Sequence, residues 1–279
     1  MSAIMMDGKA LAADIKRDVK EKALSMEHPP TLALVLVGDD PASVTYVTHK
    51  RRDCAECGIR TVDYTLGAET TQEELLGLVA ELNGRDDVDG ILVQLPLPSH
   101  IHERTILEAI DPKKDVDAFH PFNVGRLMQF VPCYVPCTPA GIMALLRRYD
   151  IDPAGKECVI INRSNIVGKP LAMLLLQAGG TVTVCHSRTA DLARRCRQAD
   201  ILIAAAGKAG LVTADMIKPG AVVVGVSMAR DDAGHICGDF GPAVGDKASY
   251  LTPPTGGVGP MTRAMLMVNV LKAAELRGE

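Results

Sequence analysis

The sequence predicts an α/β protein of two domains, and three observations predict it. Short aliphatic runs without polar alternation, TLALVLVG at residues 31–38, GILV at 90–93 and ECVIIN at 157–162, read as parallel strands buried on both faces. Between them lie amphipathic stretches with helical spacing, the alternation of a wound parallel sheet. The rhythm breaks over residues 111–136, where Pro112, Pro121, Pro132 and Pro136 crowd together, and that irregular segment is the expected boundary. Of 279 residues, 47% are hydrophobic but only 3% aromatic, with no Trp, so the cores must be aliphatic.

In the first half, Leu11, Ile15, Val19 and Ala23 share one face of a helix over residues 7–25. The strand at 31–38 runs into the turn residues Gly38, Asp39, Asp40 and Pro41. A helix follows over SVTYVTHKRRDCAEC and is stopped by Gly58. Val62, Tyr64 and Leu66 alternate as a strand. Thr70 with Glu73, or Thr71 with Glu74, can form a capping box for a helix through Leu82, ended by Asn83 and Gly84. Next comes the strand at 90–93, halted by Pro96, which cannot donate to a ladder. A helix near residues 103–110 closes this half.

Past the boundary, Thr138 and Pro139 are placed as N-cap and first-turn residues of a helix to Tyr149. Four strands then follow, ECVIIN, TVTVC, DILIAAAG and AVVVGV, with helices at 168–178 and 189–198 between the first three. This is a dinucleotide-fold pattern. Residues 261 to about 275 form a last helix.

A net charge of −4 gives no basic field for nucleic acid. No apolar run reaches transmembrane length, and the N-terminus lacks the charged start and apolar core of a signal peptide. Eight cysteines are scattered, several in apolar strands (Cys158, Cys185), as expected of a reduced, cytosolic protein. Cys54 and Cys57 make a C-x-x-C, but inside a helical pattern with no second pair at zinc spacing, so no metal site is expected.

Two stretches carry chemistry. Gln94 puts an uncharged amide at the carboxyl end of a buried parallel strand, the edge where open α/β sheets bind ligands. Tyr46 and Lys50, four apart, share one helical face. In the second half the turn NRSNIVGKP is not G-x-G-x-x-G. It still offers Gly168 for close approach and a helix N-terminus whose free N–H groups favour phosphate. Roughly twenty residues later, where an NAD site usually has a carboxylate, the second strand ends in CHSR. Ser187 and Arg188, with Arg163 in the first turn, suit a phosphate ester and argue for NADP over NAD.

These stretches together resemble the bifunctional methylenetetrahydrofolate dehydrogenase/cyclohydrolase family over nearly the whole chain. The matching segments are DGKALA, SVTYVTHK, VDGILVQLPLP, PKKDVDAFHPFNVGRL, PCTPAGI, RSNIVGKP, TVTVCHSRT, ADILIAAAGK, IKPGAVVVGV and GGVGPMT. The resemblance implies an N-terminal three-layer α/β folate domain and a Rossmann-like NADP-binding domain around a cleft, with the C-terminal helix returning to the first. The expected spans are residues 1–120 with 261–279, and residues 140–250. It implies NADP-dependent oxidation of 5,10-methylenetetrahydrofolate to the methenyl cation and hydrolysis to 10-formyltetrahydrofolate, in one-carbon metabolism and purine biosynthesis. It also implies a cytoplasmic homodimer acting on tetrahydrofolate one-carbon derivatives.

Carried over by residue, Lys50 is the catalytic lysine, Tyr46 the tyrosine beside the folate ring and Gln94 the glutamine that positions the lysine. Asp117 binds the pterin. Gly256, Gly257 and Pro260 belong to the loop over the substrate. Arg163, Ser164, Asn165, Gly168, Ser187, Arg188, Met228 and Thr262 belong to the cofactor site. The types fit the chemistry: hydrolysis of a cation needs a proton acceptor, and a lysine desolvated in a cleft can serve.

The departures from the family pattern gather in the second half. Asn162 stands for a usual Gly, and left-handed backbone at Asn162 is the expected way the turn survives. Gly225-Val226-Ser227-Met228-Ala229 stands for roughly D-V-G-I-N, and Thr255 for a usual proline in the closing loop. Arg263 replaces an aliphatic residue. In the first half only Arg85 for an acid and Ala118 for a glycine differ. The pattern predicts cyclohydrolase near the family norm and a dehydrogenase weaker or altered in cofactor preference. Two other readings are a shikimate-type or amino-acid dehydrogenase on the same plan and a non-catalytic folate binder.

Overall fold

Every residue of strand Thr31–Val37 is buried, because the strand faces two cores at once. Leu32 and Leu34 enter one aliphatic cluster with Leu92, while Ala33, Val35 and Val37 enter another with Ile91 and Val93. This period-two split makes it the middle strand of a three-stranded parallel sheet, between Arg60–Leu66 and Gly90–Val93. Val19 and Ala23 of helix Gly8–Ser25 and Leu266, Met267 and Val270 of helix Val258–Arg277 cover the first face. Leu75, Val79 and Leu82 of helix Gln72–Asn83, with Ile106 of helix Glu103–Ala109, cover the second. The result is the expected three-layer unit. The computed structural model describes residues 2–230 and 233–277.

Two compact units divide the chain: Ala13–Cys137 with Arg263–Glu279, and Met1–Ala12 with Thr138–Thr262. The C-terminal helix thus gives most of its length to the first unit. Residues 2–12, expected there too, fall in the second. Strand Ile4–Met5 runs parallel to Tyr250–Leu251, and Gly8 lies so close to Gly257 that a Cβ would sit 1.9 Å from its carbonyl oxygen.

The second unit holds a six-stranded parallel sheet where four strands were expected. Glu157–Ile161 lies between Thr181–Cys185 and Ile201–Ala204, followed by Val222–Gly225, Tyr250–Leu251 and Ile4–Met5. Registers Ile161↔Cys185 and Ile161↔Ala204 bring the carboxyl ends of the first three strands level. The turns after them therefore share one edge, the Rossmann-like arrangement.

Several local readings change. Asp40 and Pro41 start helix Pro41–Glu56 as N-cap and first residue, with Asp40 accepting from Ser43 N at 2.8 Å. Of the two capping boxes the sequence allows, Thr71 with Glu74 forms. The segment at 111–136 contains a helix, Pro121–Met128, capped by His120; Pro121 begins it rather than breaking it. Thr138 lies inside helix Cys137–Arg148 and its hydroxyl meets that of Thr262 at 2.9 Å instead of capping. The helix expected from 189 starts at Leu192, because Thr189 Oγ1 accepts from His186 N and closes the preceding turn. Among the described residues no helix is long and apolar enough to cross a membrane.

Candidate active site and cofactor turn

Helix Pro41–Glu56 presents Lys50 to the carboxyl end of strand Gly90–Val93. There Lys50 Nζ donates to Gln94 Oε1 at 3.0 Å, and Gln94 Nε2 donates to Leu95 O at 2.5 Å. Gln94 is itself buried, and its own N–H continues the ladder to Val35 O at 2.8 Å. With the amide anchored at both ends, the lysine amine meets a fixed oxygen. Tyr46 stands one turn earlier on the same helix, 50% exposed, so its ring is open to solvent or to a ligand.

Asp117 reaches this end by a route the strand pattern alone does not reveal. Ile91 N donates to Lys114 O at 2.8 Å, and Ile91 bridges Asp115 in parallel register. Continuing in that direction carries Asp117 toward Gln94. Burial raises the Asp117 carboxyl above its ordinary range; the Lys50 charge pulls it back in part, and Asp115 adds to the rise.

The rest of the PKKDVD motif holds Asp117 in place, a role not foreseen from sequence. Lys114 Nζ donates to Leu82 O, Asn83 O and Arg85 O at 3.0, 2.9 and 2.6 Å, closing the end of helix Gln72–Asn83. Asp115, 1% exposed, accepts from Phe119 N, His120 N and Asn123 Nδ2 at 3.2, 2.9 and 2.8 Å. From the C-terminal helix, buried Asn269 donates to Val116 O at 2.7 Å and Val135 O at 2.9 Å. An amide in an otherwise aliphatic helical stripe was the only signal for it.

In the other unit the cofactor turn survives for a reason different from the one expected. Positive φ among the described non-glycine residues occurs at Ala118, Phe130, Asp150 and Asp191, and not at Asn162. Instead the Asn162 side chain holds the turn: Oδ1 accepts from Ser164 N at 2.7 Å and Gly168 N at 3.0 Å, while Nδ2 donates to Ala205 O at 2.7 Å. Gly168 is required, since a Cβ would fall 2.1 Å from Asn162 O.

Arg163, Ser187 and Arg188 are exposed, and neither arginine makes an ion pair among the described residues. Ser164 Oγ accepts from Val167 N, and Asn165 Oδ1 from Lys169 Nζ. The second strand ends without a carboxylate, so the donor set at this edge fits a phosphate-bearing dinucleotide. Of the remaining candidates, Gly256 has φ +85°, Gly257 packs against Pro253 O, and exposed Met228 lies in a hairpin opposite Gly238. Pro260 and Thr262 lie in the first turns of the last helix. The C-x-x-C thiols are buried and free, and burial pushes both Cys54 and Cys57 up to about 12, away from reactivity.

Comparison with known proteins agrees with both halves. The profile for "Tetrahydrofolate dehydrogenase/cyclohydrolase, catalytic domain" matches residues 6–117, and that for the family's "NAD(P)-binding domain" matches residues 136–278. The Bifunctional protein FolD of Oleidesulfovibrio alaskensis is 52% identical over 284 residues, covering 98% of this chain and 99% of that one. A crystal structure of the bifunctional enzyme from Campylobacter jejuni superposes with a TM-score of 0.96 at 51% identity, over 99% of this chain and 100% of that one. The Trypanosoma brucei dehydrogenase-cyclohydrolase, solved with NADP cofactor and an inhibitor, gives 0.93 at 38% identity, over 99% and 98%. The chain belongs to the tetrahydrofolate dehydrogenase/cyclohydrolase family.

Proposed function

We propose that this enzyme oxidises 5,10-methylenetetrahydrofolate with NADP and hydrolyses the methenyl cation to 10-formyltetrahydrofolate, with Lys50, Tyr46 and Gln94 as the catalytic group. The observation that carries the reading is Lys50 held at 3.0 Å by an uncharged amide. An amine can donate to that oxygen whether or not it carries the extra proton. A carboxylate in the same place would favour the charged form. In its neutral form Lys50 can take a proton from the water that attacks the methenyl carbon. Tyr46 offers its ring to the flat folate system.

Asp117 accepts the paired donors of the amino-pyrimidine edge, two N–H groups to two carboxylate oxygens. NADP, when bound, supplies the hydride acceptor. Arg163, Ser187 and Arg188 would grip its 2′-phosphate. Ser164, Asn165, Gly168, Met228 and Thr262 would line it. The domain roles follow: folate on the unit carrying Lys50, dinucleotide on the unit carrying Asn162.

The reading extends to a cytoplasmic homodimer serving one-carbon metabolism and purine biosynthesis. The dimer is supported by the outer edge of strand Thr181–Cys185, where Val184 and Leu176 of the adjoining helix are exposed. The test is Lys50→Met. Hydrolysis of methenyltetrahydrofolate should fall to the uncatalysed rate while a folate analogue still binds. Hydrolysis near the wild-type rate would remove Lys50 as the base.

A further inference from the structure

We infer that Asn162 is a positioning residue for the cofactor, fixing the dinucleotide turn in its binding shape before NADP arrives. The inference rests on the placement of NADP at this turn, and gives Asn162 a role that acts through the residues its side chain holds. One side chain makes three bonds. Its carbonyl oxygen accepts from Ser164 N and Gly168 N, and its amide nitrogen donates to Ala205 O.

Those bonds join three elements. Asn162 leaves strand Glu157–Ile161, Gly168 opens helix Gly168–Gln177, and Ala205 leaves strand Ile201–Ala204. Beyond Ala205 the chain of contacts continues: fully buried Asp239 accepts from Ala206 N at 3.3 Å and Lys208 N at 2.9 Å. Two loops on the carboxyl edge of the sheet are therefore tied to each other and to the core.

The bonds also decide which donors remain for phosphate. A bare helix N-terminus offers its first N–H groups to an anion. Here the N–H of Gly168 is already used, and so is that of Ser164. Phosphate recognition then passes to side chains, Arg163 foremost, whose backbone is held between Asn162 and Ser164. The turn gives up two backbone donors and gains a fixed shape, and pre-forming a site lowers the ordering that binding must impose.

The test uses the full-length enzyme with Asn162→Ala and Asn162→Gly. Both lose the three bonds, but only glycine adds backbone freedom. Calorimetric titration should show NADP binding weaker by about five- to tenfold in both, the effect of one or two net hydrogen bonds. Amide exchange at Ser164 and Gly168 should quicken in the cofactor-free protein. Cyclohydrolase turnover without cofactor should stay at the wild-type level, which separates a local effect from a folding defect. NADP affinity at or above wild type in the glycine variant would overturn the inference, as would a matching loss of cyclohydrolase.

Arg163→Ala separates the inference from the reading beneath it. Weaker binding of NADP than of NAD in that variant supports the placement of the phosphate, whatever Asn162 does. If Arg163→Ala leaves both cofactors unaffected, the placement itself fails, and the inference with it.

Discussion

Arg263 Nε lies 3.2 Å from Oδ2 of Asp53, a carboxylate only 7% exposed whose other oxygen lies 3.1 Å from Lys16 Nζ. Arg263 is the residue that replaces the family's usual aliphatic side chain, and this pair accounts for it. Asp53 sits three residues past Lys50 on the same helix, so two cations from two other helices clamp the segment that carries the lysine. The Asp53 Oδ2 accepts no aligned N–H, so the tie is charge attraction rather than a formed hydrogen bond.

Removing one side of that pair should therefore cost more than removing both. Arg263→Leu is expected to lower stability by about 1–3 kcal/mol, because a buried carboxylate is left with Lys16 alone. Adding Asp53→Ala should recover most of the loss. Urea unfolding of the two single variants and the double variant measures the coupling, and strictly additive losses would deny the interaction.

Asp117 makes a prediction about pH. Its folded-state carboxyl is raised above the unfolded value, burial outweighing the pull of Lys50. The native state thus binds that proton more tightly than the unfolded state does. Stability from this group falls as pH rises through the window between the two values, and the ionised form is a standing cost at neutral pH. Asp117→Asn should melt higher than wild type at about pH 7–8, and the gap should close as pH falls below about 4. The same variant should bind a folate analogue more weakly by about 2–5 kcal/mol, the loss of a buried charge-assisted pair. A melting gap that is constant with pH would contradict the assignment.

Next to it, Ala118 has φ 60°, a left-handed conformation that strains any side chain. This explains the family's usual glycine at that position. Ala118→Gly should stabilise the protein by about 0.5–1 kcal/mol, the relieved strain exceeding the extra freedom glycine gains when unfolded. A shifted urea midpoint at unchanged slope would show it.

Much of this was legible because aliphatic runs and helical spacing are local signals. The alternation of parallel strands and helices follows from them, as do Gln94 at a strand end and Lys50 sharing a helical face with Tyr46, whereas the three layers and Asp117 come only with the family resemblance. What stayed hidden depends on partners far along the chain. Strand Ile4–Met5 is two exposed residues long and exists only by pairing with Tyr250 and Leu251. At Asn162 the side chain rather than a left-handed backbone holds the turn, through partners up to 43 residues away. The helix begun by Pro121 inside the irregular segment was hidden too, because a proline in isolation does not say whether a helix ends or begins there.

The last prediction concerns the balance of the two activities, and the structure sharpens it. Gly225 stands where the family pattern given by the resemblance has an acidic residue. A Cβ there would lie 3.3 Å from the Phe240 ring and 3.7 Å from Thr252 Oγ1, which also bonds to the Gly225 N–H at 2.7 Å. Phe240 packs with Val212 and Val223 in the core, so the space beside Gly225 is closed from behind. Met228 is different: it is 58% exposed in the hairpin opposite Gly238, a long side chain with no packing to hold it back. Hydride transfer needs reacting atoms held about 3–3.5 Å apart, and small misplacements can cost about a hundredfold, whereas the hydrolytic step makes no such demand on the cofactor. The ratio of dehydrogenase to cyclohydrolase turnover at saturating NADP should therefore fall below that of a relative with the usual motif. Ser227→Gly with Met228→Ile should raise the ratio, since neither residue is locked into the core. Gly225→Asp should instead destabilise the fold unless Phe240 is shortened to Leu in the same chain. Both activities measured on one preparation decide the matter: a ratio equal to the relative's, or one unmoved by the paired substitution, would clear this edge of responsibility.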